Sequence, residues 1–294
     1  MKVAVIHDVP VPPSTTRQIF VALMKRGVDT TYLRASRMTP VVGKNISVVI
    51  YGRRIVEVDA AIVRGLGMIT STEAIFKRID VLKQLSESGT IVINSPESIL
   101  NARDKLRSMQ LLSAAGLPIP DTIVTEDLPI VINVVREWGK CVIKPLMGSM
   151  GYGAILTNDP DVAYMVAKIW ISHNQPVMIQ KYMRSLDRDI RVFVVGNEVL
   201  GGIYRYAPEG GWKTNVAQGA RVEKAELNRE VKELALEAAK KLKLLYAGVD
   251  IGEFKGSYVI YEVNSMPNWL GFMEGTGINP ADYLAELTIS LIRR

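Results

Sequence analysis

The stretch YAGVDIGEFKGSYVIYEVNSMPNW, residues 246–269, decides the fold of this chain. Two apolar runs flank a tight turn, and each carries an acid in its middle. Alternation of Val249 and Ile251, and of Val259, Tyr261 and Val263, marks strands that bury one face. Asp250, Glu262 and Asn264 are left on the other face. A turn centred on Gly256 places Asp250 directly opposite Glu262. Like charges facing each other destabilise a sheet, so a positive group is expected between them. Asn264 adds a neutral oxygen, and a set of hard oxygen donors suits magnesium, which completes its shell with waters and substrate phosphates. The alternative is a solvated strand face carrying incidental acids.

The rest of the composition narrows the chemistry. With 294 residues, the chain is long enough for one large domain or two to three small ones. Its apolar runs are shorter than a membrane span, and the opening MKVAVIHDV lacks the apolar core of a signal peptide, so a cytoplasmic protein without membrane partners is expected. Cys141 is the only cysteine and sits in the apolar run KCVIKPL, where a buried strand thiol is the expectation. His7 and His173 are far apart in sequence, which disfavours zinc chemistry and a Ser-His-Asp relay. The net charge of +6 suits anionic partners. Lys and Arg are nevertheless dispersed, without a nucleic-acid motif, so small phosphates and carboxylates are favoured over nucleic acid.

Strands and helices alternate over the first hundred residues. KVAVI (2–6), VDTTYL (28–33), VDAAIV (58–63) and TIVIN (90–94) read as strands, with helices near 15–26 and 71–86, which predicts a small parallel α/β unit. From Ser95, with Pro96 in the first turn, helical periodicity continues to Gly116, and LPIP then breaks it, marking a boundary near 118. Strands near 119–125, 140–146, 153–157 and 177–183 and helices near 128–138 and 160–173 follow. VGNEV (195–199) reads as a hairpin turn, and helices are expected at about 228–243 and 280–293.

A magnesium site of this kind implies a nucleotide. LMGSMGYG (146–153) lies between two apolar strands and offers Gly148, Ser149, Gly151 and Gly153, whose backbone N–H groups could approach phosphates closely. It is neither a Walker A motif nor a Rossmann fingerprint, so a flexible strand-loop-strand lid is the remaining form. Lys144 is a charge inside an apolar strand, where either a phosphate partner or snorkelling to the surface would accommodate it. Lys105 is an ordinary helical lysine by itself.

Together these pieces resemble the ATP-grasp superfamily, specifically RimK-like α-L-glutamate ligases. The resemblance is carried by 94–122, VIKPLMGSMGYG (142–153), IQKYM (179–183), DIRVFVVGNEV (189–199), WKTNVAQGA (212–220) and YAGVDI…YEVNSMP (246–267), in the family's order. It implies an α/β and α+β fold in three parts: an N-terminal parallel α/β domain (1–94), a central lid subdomain with its lead-in helix (95–183), and a C-terminal subdomain carrying the metal site (184–294), with ATP clamped between the last two. It further implies that Lys105 and Lys144 contact phosphates under the Gly-rich lid. Gln180, Lys181 and Tyr182 correspond to the adenine-pairing linker, Asp189 to an acid at the ribose, Lys213, Thr214 and Asn215 to a segment near the phosphates, and Asp250, Glu262 and Asn264 to the magnesium ligands, with manganese as the other admissible ion. Lys213 stands where many relatives have Arg, losing a bidentate fork. The first 93 residues match only in general α/β character.

The activity implied is an ATP-dependent carboxylate–amine ligase, in which an acceptor carboxylate is activated as an acylphosphate and L-glutamate supplies the amine. Arg205 matches a family arginine near the tetrahedral centre and is the candidate for oxyanion stabilisation. Arg191 is a second candidate, with a structural ion pair as its alternative. The acceptor is either a small coenzyme or a protein tail, and a homodimer or homotetramer fits the resemblance. Two rivals stand beside this reading: an ATP-grasp ligase with another amino substrate or a carrier-protein acceptor, and a nucleotide-binding regulator without turnover.

Overall fold

The computed structural model describes residues 1–44, 46–67, 71–146, 148 and 151–294. The chain begins with β1 (Lys2–His7), α1 (Ser14–Met24) and β2 (Asp29–Arg34), then a three-stranded antiparallel ribbon of β3 (Met38–Gly43), β4 (Ile46–Tyr51) and β5 (Arg54–Ile55). After β6 (Ala60–Val63), α2 (Thr72–Glu87) and β7 (Ile91–Ile93), a parallel sheet is complete in the order β2-β1-β6-β7. Strands covered on both faces must be apolar throughout, which is why VAVI and AAIV do not alternate. Ala4, Ile6, Ala61 and Val63 pack with Ile75, Ile79 and Leu82 of α2, and Val3, Val5, Ala60 and Ile62 pack with Ile19 and Leu23 of α1. The ribbon over 38–55 was not foreseen.

The single helix expected over 95–117 is two helices, α3 (Pro96–Arg103) and α4 (Lys105–Ala114). Asp104 is extended, at φ −80° and ψ 103°, and its carboxylate accepts from the N–H groups of Leu106 and Arg107. A short side-chain acceptor that captures backbone donors ends one helix and caps the next. Lys105 thereby becomes the first residue of a new helix.

The central unit is β8 (Thr122–Thr125), α5 (Leu128–Trp138), β9 (Cys141–Pro145), β10 (Ile155–Thr157), α6 (Pro160–Ile171) and β11 (Val177–Lys181), an antiparallel sheet ordered β10-β9-β11-β8. The two helices bury Val131, Val135, Ala163 and Ala167 against Cys141, Ile143 and Ile179. Burial pushes the Cys141 thiol up to about 11, which suits a structural thiol. β9 and β10 flank the Gly-rich segment, as expected of its two neighbouring strands.

The last unit holds β12 (Arg188–Val195), β13 (Glu198–Tyr206), β14 (Arg221–Lys224), α7 (Arg229–Lys241), β15 (Tyr246–Phe254), β16 (Ser257–Asn264), α8 (Leu270–Thr276) and α9 (Pro280–Ile292). Its sheet runs β14-β13-β12-β15-β16, antiparallel throughout. One face, with Val192, Val194, Val249 and Ile251, packs on Ala235 and Ala239 of α7 and Met109 and Leu112 of α4. The other, with Phe193 and Val195, shares a core with Val3, Val5, Ile62 and α1 of the first unit. The parallel sheet and the five-stranded sheet are therefore joined by continuous apolar burial. Asn94 reinforces the seam: its Nδ2 donates to Tyr246 O and Ser265 O, and its Oδ1 accepts from the N–H groups of Leu245 and Tyr246.

Asp250 does pair with Glu262, but for a different reason than the one expected. The turn is the two-residue Lys255–Gly256, with both residues at positive φ, and Phe254 pairs with Ser257. Pairing near the turn is thus one residue out, and a β-bulge beside Asp250 and Ile251 restores it further on. The bulge also corrects the expected faces. Ile260 joins the core, whereas Tyr261 lines the cavity described next. Among the described residues, no helix is long and apolar enough to cross a membrane.

Candidate active site

A cavity of about 700 Å³ lies where the three units meet. Its floor is the polar face of the five-stranded sheet. Antiparallel pairing sets Arg191 beside Asp250 and Asp189 beside Arg205 on neighbouring strands, so charges alternate across the floor. Arg205 Nε and Nη2 donate to the two oxygens of Asp189 at 2.8 and 2.7 Å, and Nη2 also lies 3.1 Å from Asp250 Oδ2. Arg191 donates through Nε and Nη2 to both oxygens of Asp250, the latter at 2.8 Å. The Thr214 hydroxyl donates to Asp189 Oδ2 at 2.6 Å.

Arg205 is 4 % exposed and Asp189 3 % exposed, so this is a buried network, not a surface strand end. Burial works against charge on both Arg205 and Asp250, but the ion pairs outweigh it: Arg205 is raised above its ordinary value and Asp250 is held below its own by Arg191 and Arg205. Breaking one partner of such a network is far more costly than the intact network is stabilising. Asp189, expected at a ribose, lines the cavity with both oxygens already accepting from Arg205 and Thr214. Arg191 takes the ion-pair alternative. Arg205 Nη1 has no protein acceptor among the described residues and remains available to a ligand.

The positive group beside Asp250 is a pair of guanidiniums. Among the described residues no three His, Cys, Asp or Glu side chains form a metal cluster. Glu262 and Asn264, by contrast, line the cavity with no protein hydrogen bond to their side-chain oxygens among the described residues. Two side chains with free hard oxygens, next to an arginine-held carboxylate, fit a magnesium ion that takes its other ligands from phosphates and water.

Lys144, on β9, reaches the cavity across from Glu262 and Asp250. Desolvation lowers its pKa to about 8, against the opposing pull of Glu262. Lys105, 9 % exposed, donates from Nζ to Leu146 O at 3.3 Å and Gly148 O at 3.1 Å, so it holds the entrance of the Gly-rich loop. Lys213 Nζ donates to Gly151 O at 2.8 Å and ties the far side of that loop to the 212–215 segment. Gly151 has φ +74°, and a Cβ there would lie 2.3 Å from Asn215 Oδ1, so only glycine permits this approach. Gly148 and Gly151 line the cavity, and Gly153 is not among its lining residues. Ser149 lies outside the described residues.

Gln180, Lys181 and Tyr182 border the cavity. The Gln180 amide donates to Thr122 Oγ1, the Lys181 N–H to Asp121 O and the Tyr182 N–H to Lys140 O. Any base pairing by this linker narrows to its remaining backbone groups. Arg184, Tyr261, His7 and Arg64 are among the cavity residues that were not anticipated. Arg184 donates to Trp212 O and to Thr214 Oγ1, and Tyr261 donates to Met183 O, with burial pushing its hydroxyl up to about 12. His7 and Arg64 belong to the wall contributed by the first unit, with Val9, Pro13 and Thr15. A legible signal for that pair existed: each ends an apolar strand with a polar residue on the inward-facing period.

Residues 102–288 match the RimK-like ATP-grasp domain model. The tetrahydromethanopterin:alpha-L-glutamate ligase of Methanosarcina acetivorans is 32% identical over 259 residues, covering 78% of this chain and 79% of that protein. The ligase of the same name from Methanocaldococcus jannaschii is 37% identical over 243 residues, covering 81% of each. Among solved structures, the ATP-grasp ligase PsnB, complexed with a phosphomimetic variant of its minimal precursor, Mg and ADP, superposes with a TM-score of 0.77 over 99% of this chain and 98% of its own, at 23% identity.

Proposed function

The chain belongs to the RimK-like ATP-grasp family and is an ATP-dependent ligase, and we propose that it joins the amino group of L-glutamate to an acceptor carboxylate, most directly that of a tetrahydromethanopterin-class coenzyme. The observation that carries this reading is the shared cavity, in which Lys144 and the Gly-rich loop face the open oxygens of Glu262 and Asn264. A carboxylate is a poor acyl donor, so it must first accept the γ-phosphoryl group of ATP. The amine then adds to the acylphosphate, and phosphate leaves with one of the former carboxylate oxygens. Lys144 and Lys105 are suited to hold phosphate charge, and the loop tethered by Lys105 and Lys213 to exclude water.

Glu262 and Asn264 would hold magnesium, with Asp250 beside them. When bound, the ion neutralises phosphate charge as phosphoryl transfer proceeds; manganese has a similar ligand preference. Arg205 Nη1 is the donor suited to the oxyanion of the tetrahedral intermediate, because Asp189 and Asp250 fix the rest of its fork before substrate arrives. The two named relatives favour a coenzyme over a protein tail as acceptor. ADP formation requiring both L-glutamate and tetrahydromethanopterin, with a product heavier by one glutamate residue, is the expected result. ADP formation indifferent to L-glutamate would reject it.

A further inference from the structure

His7 and Arg64 stand at the carboxyl ends of the two central strands of the parallel sheet. Pairing of β1 with β6 sets Val3 beside Ala60, Val5 beside Ile62 and Ile6 beside Val63. By period two, His7 and Arg64 continue the stripe of Val3, Val5, Ala60 and Ile62 that packs toward the C-terminal sheet. The stripe turns polar where the cavity begins. In the order β2-β1-β6-β7 the chain leaves β1 to one side and returns on the other, and the crevice beyond such a pair is where open α/β sheets receive ligands.

Arg64 is 6 % exposed, and all its partners are neutral. Nη2 donates to Pro267 O at 2.8 Å and more loosely to Thr15 Oγ1 at 3.5 Å, Nη1 donates to Tyr246 Oη at 3.3 Å, and the guanidinium lies 4.0 Å over the Trp269 ring. Nε is buried without an acceptor, and no carboxylate among the described residues forms an ion pair with Arg64. A buried cation without a counter-charge is costly. Beside it, His7 Nδ1 accepts from the Asp8 N–H at 2.8 Å, so a neutral ring carries its proton on Nε2, which has no protein acceptor among the described residues. Burial and the Arg64 charge hold His7 below its ordinary pKa, so the ring offers an N–H donor rather than a second charge. It occupies space that only glycine leaves, since a Cβ on Gly65 would lie 2.8 Å from it.

We propose that Arg64, with His7 as a neutral donor, binds a substrate carboxylate that passes through the reaction unactivated. The inference rests on the ligase reading above, in which one carboxylate is activated and others keep their charge. The arginines of the floor, Arg191 and Arg205, already have Asp250 and Asp189. Arg184, half-buried, also has only neutral acceptors, so Arg64 is distinguished by its full burial beside the free donor His7 Nε2, and its counter-charge is supplied by the ligand. The carboxylate belongs either to L-glutamate or to the acceptor, and these are separable.

The test compares wild type with Arg64→Met, Arg64→Lys and His7→Gln, by steady-state kinetics and by melting with MgADP plus either L-glutamate or tetrahydromethanopterin. Loss of a charge-assisted contact should raise KM for one of the two substrates about tenfold or more in Arg64→Met and less in Arg64→Lys and His7→Gln, with KM for MgATP unchanged. The substrate affected identifies the source of the carboxylate. If Arg64→Met does not fold, Arg64→Lys and His7→Gln carry the same comparison. A lower melting temperature with both KM values unchanged would make Arg64 a clamp between Trp269 and Pro267 and overturn the subsite. Wild type that turns over no L-glutamate would reject the ligase reading alone, provided a ligand-induced melting shift is still lost with Arg64. Absence of any such shift in wild type would overturn the subsite as well.

Discussion

Two buried arginines face the same cavity in opposite electrostatic settings. Arg205 in the floor is matched by Asp189 and Asp250, and the alternation with Arg191 leaves these four charges balanced before any ligand arrives. Arg64 in the wall has a carbonyl, two hydroxyls and an indole face, but no acid. The difference separates two ways of building a site. A self-neutralised floor is rigid and preorganised for chemistry, whereas an uncompensated wall is completed by what it binds.

The comparison is broken most directly by removing each arginine in turn. Arg205→Met strands Asp189 and Asp250 in a buried site, and a loss of about 3–5 kcal/mol in urea unfolding is expected. Next in size is Glu262→Gln, which keeps the shape of the floor while removing a charge that makes no protein hydrogen bond among the described residues. Its kcat should fall about 100-fold or more, by analogy with removal of a preorganised electrostatic group, while its apo unfolding midpoint stays near that of wild type.

Lys144 sharpens the comparison through pH. Its folded pKa of about 8 lies below the unfolded value of 10.5, so the unfolded chain binds the additional proton between these values and apo stability should rise with pH across that window. Phosphate would restore the charge, so nucleotide binding takes up a proton above pH 8. Affinity for MgATP should therefore weaken as pH rises beyond 8, approaching tenfold per pH unit, in isothermal titration. Lys144→Met should flatten that profile. The smallest effect belongs to Arg64→Met: lost hydrogen bonds are offset by relief of an unpaired buried charge, and urea unfolding should move by less than about 1 kcal/mol. A loss as large as that of Arg205→Met would erase the distinction between floor and wall.

The floor was the more legible region because strand period two is local. Asp250, Glu262 and Asn264 could be placed on one face from their spacing alone, and the pairing of Asp250 with Glu262 held although the turn and the bulge were both unforeseen. Their neighbours were not legible. Arg191 meets Asp250 through long-range pairing of β12 with β15 that no short window contains, and Arg205 comes opposite Asp189 in the β12–β13 hairpin only because a bulge at Phe193 and Val194 shifts the register by one residue. That bulge is why the contact of Asp189 with Arg205 was not legible from the turn alone. Lys105 was displaced by one short side chain, Asp104, whose capping bonds overrode a continuous helical pattern. The wall was least legible, since His7 and Arg64 are 57 residues apart and become neighbours only when β1 pairs with β6.

The central claim is ligation through an acylphosphate, and transfer of oxygen tests it most directly. With ATP, L-glutamate and tetrahydromethanopterin carrying ¹⁸O in its carboxyl group, one labelled oxygen should appear in inorganic phosphate for each amide formed, as read by mass spectrometry. Amide formed with unlabelled phosphate, or ADP released without L-glutamate being incorporated, would contradict it.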